Sequence, residues 1–400
     1  MTDLRAEEQP LRVTRRFAFS PHEVYREIRE TGPVRRVTMS AAPDAWLVTD
    51  YAEARALLAD PRLAKDHNRA LELYPDDVNS ALSSDLSHNM LQSDPPDHTR
   101  LRRLVTKAFT GKAVARLAPQ VERIVDGLLD DVAARGRADL IESFALPLPI
   151  EVISELLGVP LADRAKIRDW SMPFVVGYSE GVERAGREIK AYFAELIAVK
   201  RADPGEDLLS DLVHVMVDGD RLSEAELVAM AFLLVFAGHE TTANLIGNGV
   251  LALLRHPEQL AALRADPSGL PAAIEEFLRY DSPIHIATTR FTTEPVRVGD
   301  VEIPADQFVM ISLLGANHDG ARFTDPEVLD TTRAAAGHLA FGHGIHYCVG
   351  APLARLEARI ALGALLARFE VLELDAEPDE LEWRKSTFVR GLSTLPVRVR

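Results

Sequence analysis

Apolar residues recur at helical spacing through most of this chain, and the periodicity predicts helices over 96–116, 120–134, 149–157, 184–201, 223–255, 257–264, 271–280 and 352–369. Strands are few. Ala45-Trp46-Leu47-Val48-Thr49 is rich in β-formers and bounded by Pro43-Asp44 and Asp50, and 296–301 and 308–313 are further short strands separated by Pro304-Ala305-Asp306. The pattern gives a mainly α fold with a minor β-sheet. No Gly/Ser linker, repeat, charge block or low-complexity tract divides it, so 1–400 reads as a single domain behind a short N-terminal extension of about 20 residues.

The helix predicted after Ser223 is the most informative. Ser223-Glu224-Ala225-Glu226 is a capping box, and the apolar run behind it continues for about eight turns until His256-Pro257 stops it. A helix that long and that apolar crosses a core. Its middle, however, reads Ala237-Gly238-His239-Glu240-Thr241-Thr242, a defect of one glycine, one acid and two hydroxyls where bending is expected.

Charge and cysteine content narrow the class. With 45 basic and 61 acidic side chains the net charge is -16, which favours solubility and argues against nucleic acid as the main partner. The lone cysteine, Cys348, excludes an internal disulfide, and the charged start MTDLRAEEQPLRVTRRF is unlike a signal peptide or anchor. A cytoplasmic protein without a membrane span is expected, since the longest unbroken apolar stretch, 229–238, is about half of the roughly 20 residues a span needs.

Cys348 sits in Phe341-Gly342-His343-Gly344-Ile345-His346-Tyr347-Cys348-Val349-Gly350, directly ahead of a helical segment. Three readings are open from the residues alone: a small buried hydrophobe, a zinc ligand with His343 and His346, or a thiolate stabilised by the helix N-terminus. The glycines let backbone approach a flat ligand closely. No second cysteine cluster completes a structural zinc site, and the Cys-x-x-Cys-His of c-type haem attachment is absent.

The spacing Phe-Gly-x-Gly-x-His-x-Cys-x-Gly resembles the haem-ligand loop of the cytochrome P450 family. That resemblance implies a haem b cofactor with Cys348 as axial thiolate and metal ligand, and His346 at a haem propionate. Glu276-Phe277-Leu278-Arg279 then resembles the family's structural Glu-Arg pair, with Arg333 as its downstream partner. The defect in the long helix resembles the oxygen-activation motif, so Glu240 and Thr241 become the catalytic pair: Thr241 would hydrogen-bond bound oxygen and Glu240 would relay protons. His98 and Arg102 in Asp94-Pro95-Pro96-Asp97-His98-Thr99-Arg100-Leu101-Arg102, together with Arg290, match propionate ligands. The likeness runs from about Trp46 to the C-terminus and is nearest to soluble actinobacterial members that tailor macrolides and polyketides. It departs at His318 and Gly320, where many relatives carry Arg and Pro, and at Leu329, commonly Phe.

By the same resemblance the fold is a triangular helical domain, and the activity is insertion of one oxygen atom of O₂ into a sizeable hydrophobic substrate by hydroxylation or epoxidation. Leu91, Phe174, Val175, Leu233, Phe236, Ala237, Ile284, Ile286, Ala287, Phe388 and Val389 are the candidate substrate contacts. No flavin, iron-sulfur or dinucleotide segment is present, so a ferredoxin and its reductase are expected to bring electrons from NAD(P)H. Arg100, Arg103, Lys107 and Lys112 form a candidate basic docking patch, and a monomer is expected. The alternatives are a peroxide-driven peroxygenase, which would not need Glu240 and Thr241, a non-catalytic haem sensor or carrier, and a zinc protein.

Overall fold

The computed structural model describes residues 10–13, 16–39, 42–74, 85–176 and 180–400. The helices that position functional side chains are α1 (Pro21–Thr31), α2 (Tyr51–Leu58), α3 (Asp97–Ala108), α4 (Gly111–Arg116), α5 (Ala118–Arg135), α6 (Arg164–Val176), α7 (Glu224–Arg255), α8 (Leu270–Tyr280) and α9 (Ala351–Arg368). Eleven short strands are described: β1 (Leu11–Arg12), β2 (Val34–Met39), β3 (Ala42–Val48), β4 (Leu63–Ala64), β5 (Arg137–Asp139), β6 (Arg290–Thr292), β7 (Val296–Val298), β8 (Val301–Ile303), β9 (Phe308–Ile311), β10 (Leu372–Leu374) and β11 (Pro396–Val399).

Two compact units share the chain. One comprises Met1–Ser83, Gly247–Cys348 and Glu377–Thr394, the other Ser84–Ile246, Val349–Ala376 and Leu395–Arg400. The first is built on a six-stranded sheet in the order β1-β2-β3-β9-β6-β4. Its β3 and β9 run parallel, with Trp46 opposite Val309, while β6 lies antiparallel to both β9 and β4. All four residues of β9 are buried, as befits a strand covered on both faces. Phe17, Tyr25, Leu47, Phe291 and Phe308 fill one side of this core, and Val48, Leu57, Val298 and Ile311 belong to a second cluster.

In the second unit α5 buries Val121, Val125, Leu129 and Val132, one stripe at helical spacing, and packs against α9. Each such side chain stabilises the unit by about 1.5–3 kcal/mol. A three-stranded sheet in the order β10-β11-β5 closes it.

The predicted helices all form, with one division. The segment expected as one helix over 96–116 is broken at Phe109-Thr110, because the Thr110 hydroxyl accepts from Ala113 N at 3.1 Å and starts α4 anew. The strand expected over 296–301 is instead the β7-β8 hairpin, which turns at Gly299 with φ of 57°. The strand expected over 308–313 stops at Ile311, since Ser312 caps a short helix through Gly315 N. In α7 the capping box forms both ways: Glu226 accepts from Ser223 N and the Ser223 hydroxyl from Glu226 N. Among the described residues α7 is the helix long and apolar enough to cross a membrane, and 72% of its most apolar window is buried inside the fold, as in a core helix.

Candidate active site

The cysteine loop belongs to the first unit. Its backbone closes on itself where Cys348 N donates to Phe341 O at 2.9 Å and Tyr347 N to Gly344 O at 3.1 Å. Gly342 and Gly344 have φ of 74° and 75°, a region side chains avoid. At Gly344 a Cβ would stand 2.9 Å from Ala59 Cα and Leu58 O, so only glycine lets the loop lie against the end of α2. Cys348 itself is half-buried, although a cysteine outside a disulfide is usually fully enclosed. Two residues after it comes Gly350, the cap of α9, whose first turn carries no acid. Backbone N–H groups at such a start favour a thiolate.

Glu276, Arg279 and Arg333 lie in one hydrogen-bonded network. Glu276 and Arg279 have no exposed side-chain surface; Arg279 Nε donates to Glu276 Oε2 at 2.7 Å and Nη2 to Oε1 at 2.8 Å. Arg333 Nε adds a contact to the same carboxylate at 3.2 Å. Arg279 also donates to Asn317 O, Pro326 O and Val328 O, and Arg333 to Thr324 O and Asp325 O. These bonds tie the irregular stretch 317–333 to α8. A second set continues towards the cysteine: Leu339 N donates to Asn317 Oδ1 at 2.7 Å, and His338 Nε2 lies 3.1 Å from Glu275 Oε2.

Other candidates of this unit fall on the six-stranded sheet and its edges. Arg290 opens β6, is 4% exposed, and donates to Thr288 O at 2.9 Å. His346 is half-buried in the one-turn helix Gly344–His346. Ile284 and Val389 form an isolated antiparallel bridge, both half-buried. Ile286 and Ala287 differ from expectation, since they are enclosed in the two core clusters, Ile286 beside Tyr25, Phe291 and Phe308. Ile286 also bridges Ser312, and Phe388 packs against that same cluster.

The second unit carries the remaining candidates. His98 and Arg102 share a face of α3, His98 buried and Arg102 half-buried. Leu91 is half-buried on the turn Met90–Gln92. Along α7, Leu233 and Glu240 are buried, whereas Phe232, Phe236, Ala237 and Thr241 make an accessible stripe at four-residue spacing in the mostly buried middle of the helix. The rings of Phe232 and Phe236 stack at 5.9 Å. The polar defect is absorbed without breaking the helix: the Thr241 hydroxyl donates to Ala237 O at 2.8 Å, Thr242 to Gly238 O at 3.1 Å, and His239 Nδ1 meets Val235 O at 2.8 Å. The side chains of Phe174 and Val175 lie outside the described ones.

The family model of the cytochrome P450s matches residues 149–267 and 269–397. Cytochrome P450 107B1 of Saccharopolyspora erythraea is 53% identical over 388 residues, 96% of either chain. The 6-deoxyerythronolide B hydroxylase of the same organism is 44% identical over 94% of this chain and 96% of its own. Among solved structures, the tirandamycin C-bound P450 monooxygenase TamI superposes with a TM-score of 0.90 at 47% identity, covering 98% of this chain and all of that one. This chain belongs to the cytochrome P450 family.

It is a P450 monooxygenase, and membership implies a haem iron held by a cysteine thiolate. The residues of the first unit fit that group: one thiol, a glycine loop with no room for a Cβ at Gly344, and the buried cation Arg290. Burial and the charge of Arg55 hold the His343 imidazole below its ordinary pKa. Sequence reasoning about this P450 missed Lys65, which is 5% exposed and donates to Thr288 Oγ1 at 2.8 Å. The available signal was a lysine directly after the buried pair Leu63-Ala64. It also missed Glu357 of α9, fully buried, whose pKa burial pushes well above the carboxylate range. In the candidate basic docking patch Arg100 pairs with Glu226 and Asp220, Arg103 with Asp218 at 2.9 Å, and Lys107 with Met216 O. Acids on 218–226 thus offset two of its four charges.

Proposed function

We propose that Cys348 is the axial ligand of haem b, that His98, Arg102, Arg290 and His346 hold its propionates, and that the enzyme oxygenates a macrolide- or polyketide-type secondary metabolite. The observation that carries the reading is the half-buried thiol in its glycine-shaped loop at the start of α9. When bound, a thiolate-ligated haem activates O₂ with two electrons and two protons. Thr241 commits its hydroxyl proton to Ala237 O, so it faces any further partner as an acceptor and can hold a proton donor in place. Glu240, buried beside it, is the carboxyl assigned to bringing protons to that position. The accessible stripe Phe232, Phe236 and Ala237 supplies an apolar wall of the kind that binds a large hydrophobic molecule, with Leu91, Leu233, Ile284, Phe388 and Val389 as further contacts.

A hydroxylase of 6-deoxyerythronolide B and a tirandamycin C-bound monooxygenase among the relatives support the substrate class. Electrons come from a ferredoxin and its reductase in the cytoplasm, delivered to a monomer. The test is turnover of a macrolide and polyketide panel with ferredoxin, reductase, NAD(P)H and isotopically labelled O₂. One labelled oxygen atom per product is the expected result; unlabelled product, or activity with peroxide alone, would overturn it.

A further inference from the structure

Three segments of the first unit meet at one buried joint. Between Glu382 and Ser393 the chain leaves and returns as a narrow loop: Trp383 bridges Leu392, Arg384 N donates to Gly391 O at 2.9 Å and Ser393 N to Glu382 O at 2.7 Å. Ser386 shapes its tip, the hydroxyl accepting from Phe388 N at 3.2 Å and Val389 N at 3.0 Å. The loop then runs antiparallel to the stretch after α8, with Val389 opposite Ile284, Arg390 N donating to Pro283 O at 2.8 Å and His285 N to Phe388 O at 2.9 Å. Phe388 packs on the Tyr25 cluster, so Val389, the next residue of an extended chain, turns to the other side with Ile284.

A backbone pairing this short is marginal by itself. Buried side chains supply the rest. Arg390 Nε donates to Asp281 Oδ1 at 2.8 Å, the two side chains being 6% and 13% exposed, and the Arg390 guanidinium lies 3.4 Å from the centre of the Trp383 ring. Asn248 of α7, itself buried, donates through Nδ2 to both Asp281 O at 3.2 Å and Arg390 O at 3.1 Å. Burial alone would raise the Asp281 pKa, but Arg390 and His22 hold it well below the usual carboxylate range, so the carboxylate stays charged opposite Arg390.

We infer that Asn248, Asp281 and Arg390 are positioning residues for substrate selectivity: they hold Val389 against Ile284 and so set the shape of one wall of the substrate site. The inference rests on the assignment of Ile284 and Val389 as substrate contacts and adds what governs their placement. An apolar wall recognises a hydrophobic molecule by shape, and a shift of about 1 Å in that wall changes how the molecule is presented for reaction.

Azole binding to the holoenzyme tests this, using imidazole, which reports access to the iron, and clotrimazole, an imidazole carrying three aromatic rings, which also reports the walls. Dissociation constants come from absorption titration of wild type, Asp281→Asn, Asn248→Ala, Val389→Ala and the double variant Asp281→Asn/Val389→Ala. Clotrimazole should bind Asp281→Asn and Asn248→Ala about fivefold more weakly or worse, because it must order a loosened wall, while imidazole changes by less than about twofold. In the Val389→Ala background Asp281→Asn should add little, since it acts through Val389. Three results overturn the proposal: clotrimazole binding that is unchanged or tighter in both joint variants, an equal loss for both azoles, or an Asp281→Asn effect undiminished in the Val389→Ala background. Val389→Ala with wild-type clotrimazole binding would instead sink the contact assignment beneath it, and a wild type lacking thiolate-type haem absorption would sink the haem reading.

Discussion

At the scale of single residues, the decisive geometry is that of Thr241. Its hydroxyl hydrogen is spent on Ala237 O, which makes the oxygen an acceptor poised in an accessible stripe of α7. Thr241→Ala removes that acceptor and leaves the helix intact, since the lost bond is a back-bond and alanine is the better helix former. Product formed per NAD(P)H consumed should then fall by roughly tenfold or more while cofactor oxidation continues into hydrogen peroxide. Thr241→Ser, which retains the hydroxyl, should restore most of the coupling; an alanine variant as well coupled as wild type would contradict the role. Single residues were also the most legible scale, because Cys348, Glu240 and Thr241 are chemically odd in their settings: a thiol among glycines, an acid and hydroxyls inside an apolar helix. Lys65 and Glu357 were not legible. A lysine or glutamate reads as surface unless the fold reveals its burial, which depends on partners distant in sequence.

At the scale of elements, local chemistry wrote most of the boundaries and tertiary contacts wrote the rest. The capping box at Ser223 and the stop at His256-Pro257 delimit α7 as expected, whereas the turn at Gly299 and the second start at Thr110 divided segments whose apolar pattern looked continuous. The pairing of Glu276 with Arg279 illustrates the difference between motif and environment. Its i, i+3 spacing was visible, but the same spacing occurs on solvated helices, and only full burial with five backbone carbonyls between Arg279 and Arg333 turns it into a brace. Glu276→Gln leaves Arg279 buried beside a neutral amide, so a destabilisation of about 3–5 kcal/mol is expected. Denaturant unfolding of the purified variant checks it; a change under about 1 kcal/mol would mean the network contributes little.

At the scale of the whole molecule, buried ionisable groups set how stability depends on pH. His285 is held down to about 3 and His318 well below its ordinary value, chiefly by burial, with Arg390 adding to the first and His22 to the second. Both stay neutral in the fold while the unfolded chain protonates them below pH ~6.5. Their contribution is therefore present above that pH and lost as pH falls towards the folded values, at ~1.4 kcal/mol per pH unit for each group. Glu357 acts oppositely, since its pKa is raised well above 4.5. The fold keeps its proton where the unfolded chain releases it, so its contribution is present below pH ~4.5 and declines as pH rises through the folded value. Thermal or urea unfolding across pH 4–9 should show wild-type stability falling on the acid side of pH ~6.5, and Glu357→Gln should gain stability relative to wild type as pH rises above ~4.5. A difference between the two proteins that does not change with pH would show that Glu357 is already ionised in the fold. No sequence pattern announces these groups, because their protonation follows from burial alone.

The central claim is that the lone thiol ligates haem iron, and the absorption spectrum of the reduced, CO-bound protein tests it most directly. Wild type should show the strongly red-shifted Soret band of thiolate-ligated haem, and Cys348→Ala should lose it. A wild-type spectrum without that band, or an alanine variant that keeps it, would contradict the account.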